Sequence, residues 1–159
     1  MYSINDFPSN SHVWVYQSNR LLTNDEVAKI KELAEVFVDQ WESHGSPVKG
    51  MIEVRDNAFI IVVADDQGNT MCGRAKDSSV RLIKEFEEVL GIPFLDRMNT
   101  VWKENNQLVF GHMNVFRSKA SKGEVTTNTI VYNNTITTKE DLDNNWEVAA
   151  KESWHNQLL

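Results

Sequence analysis

At 159 residues, with 41% hydrophobic and 25% charged side chains, the chain can bury a well-filled core and is not a disordered polymer. A formal charge of −7 argues against nucleic acid as the main partner, because such affinity comes from Lys and Arg displacing counterions. A single cysteine, Cys72, excludes a disulfide scaffold and a Cys-rich zinc site.

Residues 1–11 read as a polar arm, with neither the basic start nor the apolar stretch of a signal peptide. His12 to Gln17 alternates: Val13 and Val15 lie on one face, Trp14 and Tyr16 on the other, a strand with both faces partly apolar. Thr23-Asn24-Asp25-Glu26 is a capping box. Behind it Val27, Ile30, Leu33, Ala34, Phe37, Val38 and Trp41 form one helical stripe, which Gly45 and Pro47 are expected to close. Met51 to Arg55 and the continuously apolar Ala58 to Ala64 read as two strands joined by an Asp56-Asn57 turn. That apolar run is far short of the roughly 20 residues a membrane span needs, so no membrane insertion and a cytoplasmic location are expected. The glycosylation-like Asn133-Asn134-Thr135 then carries no meaning.

Asp65 to Gly73 reads as a loop, and Asp77-Ser78-Ser79 as the N-cap of a second helix bearing Val80, Ile83, Phe86, Val89 and Leu90. Gly91 and Pro93 stop that helix. Met98 to Lys103 and Gln107 to Phe110 form a hairpin across Glu104-Asn105-Asn106. A short helix follows near Met113 to Lys122. Its Arg117, Lys119 and Lys122 form the densest basic run, read as a solvated face because aromatics are not interleaved in it. Thr127 to Tyr132 is a β-branched strand, Thr138 caps a last short helix, and Trp146 and Trp154 sit in a polar tail. The order β-α-β-β-α-β predicts an α+β, ferredoxin-like antiparallel sheet with both helices on one face. We read residues 1–159 as a single domain, with a ferredoxin-like core over 1–111 and a C-terminal extension over 112–159 packed on it.

Gly45-Ser-Pro-Val-Lys-Gly50 has P-loop glycine spacing, but Met51-Ile52 stand where the lysine and hydroxyl belong, and Pro47 removes an amide donor. The four histidines show no metal-ligand spacing. No catalytic residue, metal site or cofactor is therefore assigned. The best candidate binding set lies around the 65–79 loop: Asp65, Asp66, Cys72, Arg74, Lys76 and Ser78. Carboxylates at a strand end, a thiol near two cations, and hydroxyls at a helix start would make an anion or small-ligand site if they converge. Against an anion, Asp77 already places a negative charge at that helix start. Trp146 and Trp154 are the candidates for an exposed apolar patch.

Several stretches together carry a resemblance. They are His12-Val-Trp-Val-Tyr-Gln17, Leu22-Thr-Asn-Asp-Glu26, Gln40-Trp-Glu-Ser-His-Gly45, Asp77-Ser-Ser79 through Gly91-Ile-Pro-Phe-Leu-Asp-Arg97, Gly123-Glu-Val125, Thr129 to Asn134, and Trp146 to Trp154. In these the chain resembles a small bacterial family of about this length, often labelled "ABC transporter ATPase". The label implies ATP hydrolysis, but the chain lacks the P-loop and the Ser-Gly-Gly-Gln type signature of such ATPases and is shorter than their nucleotide-binding domain. The resemblance therefore implies no site residues. Arg74 stands where that family places a Cys, and Ala149 where it tends to place Pro. The leading expectation is a non-enzymatic binding protein, with a second copy of the chain or a protein as partner. A small-ligand, anion-binding or enzymatic domain using the 65–79 loop is the alternative, and an ABC-transporter component is the remotest.

Overall fold

The computed structural model describes residues 2–67 and 73–159. In chain order the elements are β1 (His12–Gln17), α1 (Asn24–Gln40), β2 (Glu42–Ser43), β3 (Ser46–Pro47), β4 (Lys49–Arg55), β5 (Phe59–Asp65), α2 (Gly73–Leu90), β6 (Asn99–Glu104), β7 (Gln107–His112), α3 (Met113–Ser121), β8 (Ile130–Tyr132), α4 (Lys139–Asn144) and β9 (Glu147–Ala149). Single-turn helices stand at Ile4–Asp6, Ala150–Glu152 and Trp154–Leu158. The protein is a mixed α+β molecule with antiparallel sheets. No helix among the described residues is long and apolar enough to cross a membrane.

Two sheets stack between two helical layers. The first sheet has the order β1-β5-β4 and the second β7-β6-β8-β9. Every residue of β5 from Phe59 to Ala64 is fully buried, because both faces of the strand are covered. Ile60, Val62 and Ala64 meet Ile30 and Ala34 of α1 and Ala75, Ile83 and Phe86 of α2. Phe59, Ile61 and Val63 meet Val101, Tyr132, Leu142 and Trp146 from the second sheet and the C-terminal third. Beyond the second sheet, Trp102 and Val131 pack on Phe116 of α3 and on Ala150 and Leu158.

Local chemistry explains the element ends. The Thr23 hydroxyl accepts the Glu26 amide at 3.2 Å, and the Glu26 carboxylate accepts the Thr23 amide at 2.9 Å, closing the capping box at the head of α1. The two-residue turns Asp56-Asn57 and Asn105-Asn106 lie at positive φ, the conformation that matches the twist of a tight hairpin and that Asn and Asp tolerate. Gly91 takes φ +66° after α2. Helix α1 stops at Gln40, earlier than its expected breakers, because Trp41 turns into the core and the hairpin β2–β3 occupies the stretch up to Pro47. Gly50 faces that indole: a Cβ there would lie 2.5 Å from the Trp41 ring.

Two expectations are corrected. Helix α2 begins at Gly73, so Asp77, Ser78 and Ser79 are inside it and do not cap it. Ala75 is buried, and its carbonyl accepts the Trp41 indole N–H at 2.9 Å, which draws the first turn onto the core. The serines hydrogen-bond back into their own helix, Ser78 to the Arg74 carbonyl at 2.7 Å and Ser79 to the Lys76 carbonyl at 2.6 Å. The sheet also differs from a ferredoxin-like one. β1, β5 and β4 take the expected antiparallel order, but β6 does not join the open edge of β1; it pairs with β7 and β8. The alternation of β6 and the strands supplied by residues 130–132 and 147–149 give it a second sheet with two covered faces, which one edge position beside β1 would not.

Candidate functional site

The diverted β6 leaves β1 with one open edge, and a cleft of about 780 Å³ wraps round it. Trp14, Val15, Tyr16 and Gln17 form its floor. Further lining comes from Lys76 and Val80 of α2, from residues 94–97, 99 and 100, and from Tyr132 and residues 134–137. Met113, Trp154 and His155 also contribute to the lining.

Several contacts hold this frame. The Val13 amide donates to the Thr137 carbonyl at 3.0 Å, and the Lys139 amide to the Ser11 carbonyl at 3.0 Å, so the 137–139 segment closes the start of the β1 edge. At the other end Gln17 donates to the Asn99 carbonyl at 2.6 Å and accepts from the Asn134 amide at 2.7 Å, while Asn134 accepts the Trp146 indole N–H at 2.9 Å. Both ends are therefore tied. Between them, the pleat turns the backbone N–H and C=O of Val15 toward the cleft, the same way as those of Val13. Glu87 on α2 accepts the amides of Phe94 and Leu95 at 2.8 and 3.2 Å, and Asp96 accepts the Met98 amide at 2.9 Å, which fixes the loop bearing Arg97.

Burial pushes the Tyr16 hydroxyl above its usual pKa, partly offset by the nearby Arg97 cation. His155 is 1% exposed, and burial holds its imidazole down at about 4, so it is neutral near pH 7. Its Nδ1 lies 2.8 Å from the Ser153 hydroxyl, and its ring stacks on Trp154 with centroids 3.9 Å apart. Such an arrangement can bind a flat apolar body and satisfy a few polar groups. Among the described residues no three His, Cys, Asp or Glu side chains cluster as metal ligands.

Of the six residues singled out from the sequence, the five described ones are dispersed. Asp65 closes a turn by accepting the Gln67 amide at 2.9 Å, and Asp66 pairs with His12 at 3.1 Å. Cys72 lies outside the described residues. Arg74 and Ser78 stand one helical turn apart on α2, while Lys76, two residues from each, projects from a different side. Of the five described ones, Lys76 borders the cleft. Of the two tail tryptophans, Trp146 is core, packed on Phe59 and Tyr132 with ring centroids 4.9 Å away in both cases. Trp154 is half-buried in the cleft lining. Nothing in the sequence marks Arg97, Thr135 or His155 as site residues. The available signals were a turn-forming run at 133–135 and a lone histidine between tryptophan and asparagine, neither of which has site spacing. Comparison with protein-family models, with curated proteins and with solved structures finds no match to this chain.

Proposed function

We propose that this protein is a non-enzymatic binding protein whose recognition site is the cleft on the open edge of β1. The observation that carries the reading is the cleft itself. Its volume of about 780 Å³ falls in the range of small-molecule sites, and Trp14, Tyr16 and Trp154 give it an aromatic lining with a few placed polar groups. A small molecule suits it better than an added peptide strand. Strand addition needs a run of unpaired backbone, whereas Thr137 and Asn99 bracket the edge and leave the stretch around Val15.

A thermal-shift screen against metabolites and nucleotides tests this, with the Thr135→Trp variant alongside. Thr135 is exposed and lines the cleft, so the larger side chain narrows it without entering the core. A ligand at about 100 times its Kd adds about 2.7 kcal/mol of stability, several degrees in a domain of this size. The expected result is a shift in the parent protein that the variant loses, with the ligand recovered chemically unchanged. Conversion of the ligand would overturn the non-enzymatic reading, and an equal shift in the variant would move the site elsewhere.

A further inference from the structure

The charge of the cleft lining opposes that of the molecule. The chain carries a formal charge of −7. The charged residues lining the cleft are Lys76, Arg97 and Asp96, so the lining is net positive. Neither cation is in an ion pair or side-chain hydrogen bond among the described residues, whereas Arg20, Arg55, Lys103 and Lys119 are each held by a glutamate. Asp96 already spends one carboxylate oxygen on the Met98 amide. Tyr16 and His155 are neutral near pH 7 and offer hydrogen bonds without charge. The rest of the lining combines neutral polar residues (Gln17, Asn99, Thr100, Asn134, Thr135 and Thr137) with aromatic and aliphatic ones, among which Trp14 and Trp154 are the indoles.

Resting on the reading of the cleft as a small-molecule site, we infer that its ligand class is a flat, apolar or aromatic molecule carrying an anionic group, the ring system against Trp14 and Trp154 and the anion met by Arg97 and Lys76. A neutral ligand would leave the lining's net positive charge, two cations against Asp96, unbalanced by the bound molecule. A bare inorganic anion would leave the aromatic lining unused, and a cation would be repelled. The two cations attract an anion at short range against the repulsion of the chain's net charge of −7, and that local attraction weakens as salt screens it.

Two fluorescent probes that share a phenylnaphthylamine skeleton separate the two claims. Anilinonaphthalene sulfonate carries one sulfonate, and N-phenylnaphthylamine carries none. Both are titrated into the folded parent protein, into Thr135→Trp, into the double variant Lys76→Gln/Arg97→Gln, and into Arg74→Gln, an exposed helix cation outside the cleft lining. The parent is expected to bind the sulfonate about tenfold more tightly than the neutral probe, an advantage that added salt erodes, since charge-assisted hydrogen bonds exceed neutral ones by roughly that margin. The double variant loses this advantage and keeps its affinity for the neutral probe; Arg74→Gln changes neither affinity. Because Lys76 and Arg97 are both exposed, the double variant is expected to keep the parent's circular dichroism and Tm. If the neutral probe binds, Thr135→Trp abolishes that binding, and the sulfonate is no tighter, the cleft stands and the anionic class is overturned. If neither probe binds, or Thr135→Trp binds both like the parent, the cleft reading falls as well.

Discussion

His155 shows how one buried side chain makes stability depend on pH. Its ring lies between Trp154 and Phe116, 1% exposed, with a pKa held down at about 4 by burial. In the unfolded chain the same imidazole titrates near its ordinary value of 6.5. Between those values the unfolded state takes up a proton that the folded state refuses, so stability is full above about pH 6.5 and falls as pH drops toward 4. The total is on the order of 3 kcal/mol. We expect urea unfolding at about pH 7 and about pH 4.5 to show a larger acid loss in the parent than in His155→Phe, which has nothing to protonate there. Parallel losses in the two proteins would mean that the imidazole is charged in the native state. Gly50 illustrates the same scale without charge: the Trp41 indole is pinned by the Ala75 carbonyl, so the space above Gly50 is already taken. Neither role is visible in the sequence, where a lone histidine and a glycine beside a strand are ordinary.

At the scale of elements, the capping box of α1 makes the clearest case. Arg20 forks onto Glu26 at 2.8 and 2.9 Å, and together with the Thr23 amide it holds that carboxyl at about 2. The contribution is present above the ordinary carboxylate range and is lost as pH falls toward 2. Thr23→Ala is expected to cost about 1 kcal/mol in denaturant unfolding, with Thr23→Ser close to the parent. An unchanged midpoint for Thr23→Ala would show that tertiary packing holds the helix end unaided. The hairpin turns, the α1 stripe, the Thr138 cap and the Gly91 stop were all legible, because each rests on hydrogen bonds or φ preferences within a few residues. The start of α2 was not: serines and an aspartate look like caps wherever they occur, and contact with Trp41 extends the helix four residues N-terminal to Asp77.

On the scale of the whole molecule, the C-terminal third is structural. Residues 130–132 and 147–149 supply two of the four strands of the second sheet, and Trp146 fills the space between the sheets against Phe59, Tyr132 and the Arg55 guanidinium. Trp146→Ala is therefore expected to cost about 3–5 kcal/mol, with far-ultraviolet circular dichroism and tryptophan fluorescence still changing in one coincident transition. Two separated transitions would show that the sheets fold independently. Periodicity, turn residues and caps are local signals. Among the described residues they marked the four α-helices, six of the nine strands, the α+β class and the placement of α1 and α2 on one face, but not β2, β3 or β9. The pairing of β6, the burial of Trp146 and the cleft itself are of another kind. Each depends on which of two distant surfaces a strand or ring buries more apolar area against, and that comparison exists only once the chain has folded. Because β6 gains two covered faces by leaving β1, the strand edge stays open, and the candidate site is the space it leaves.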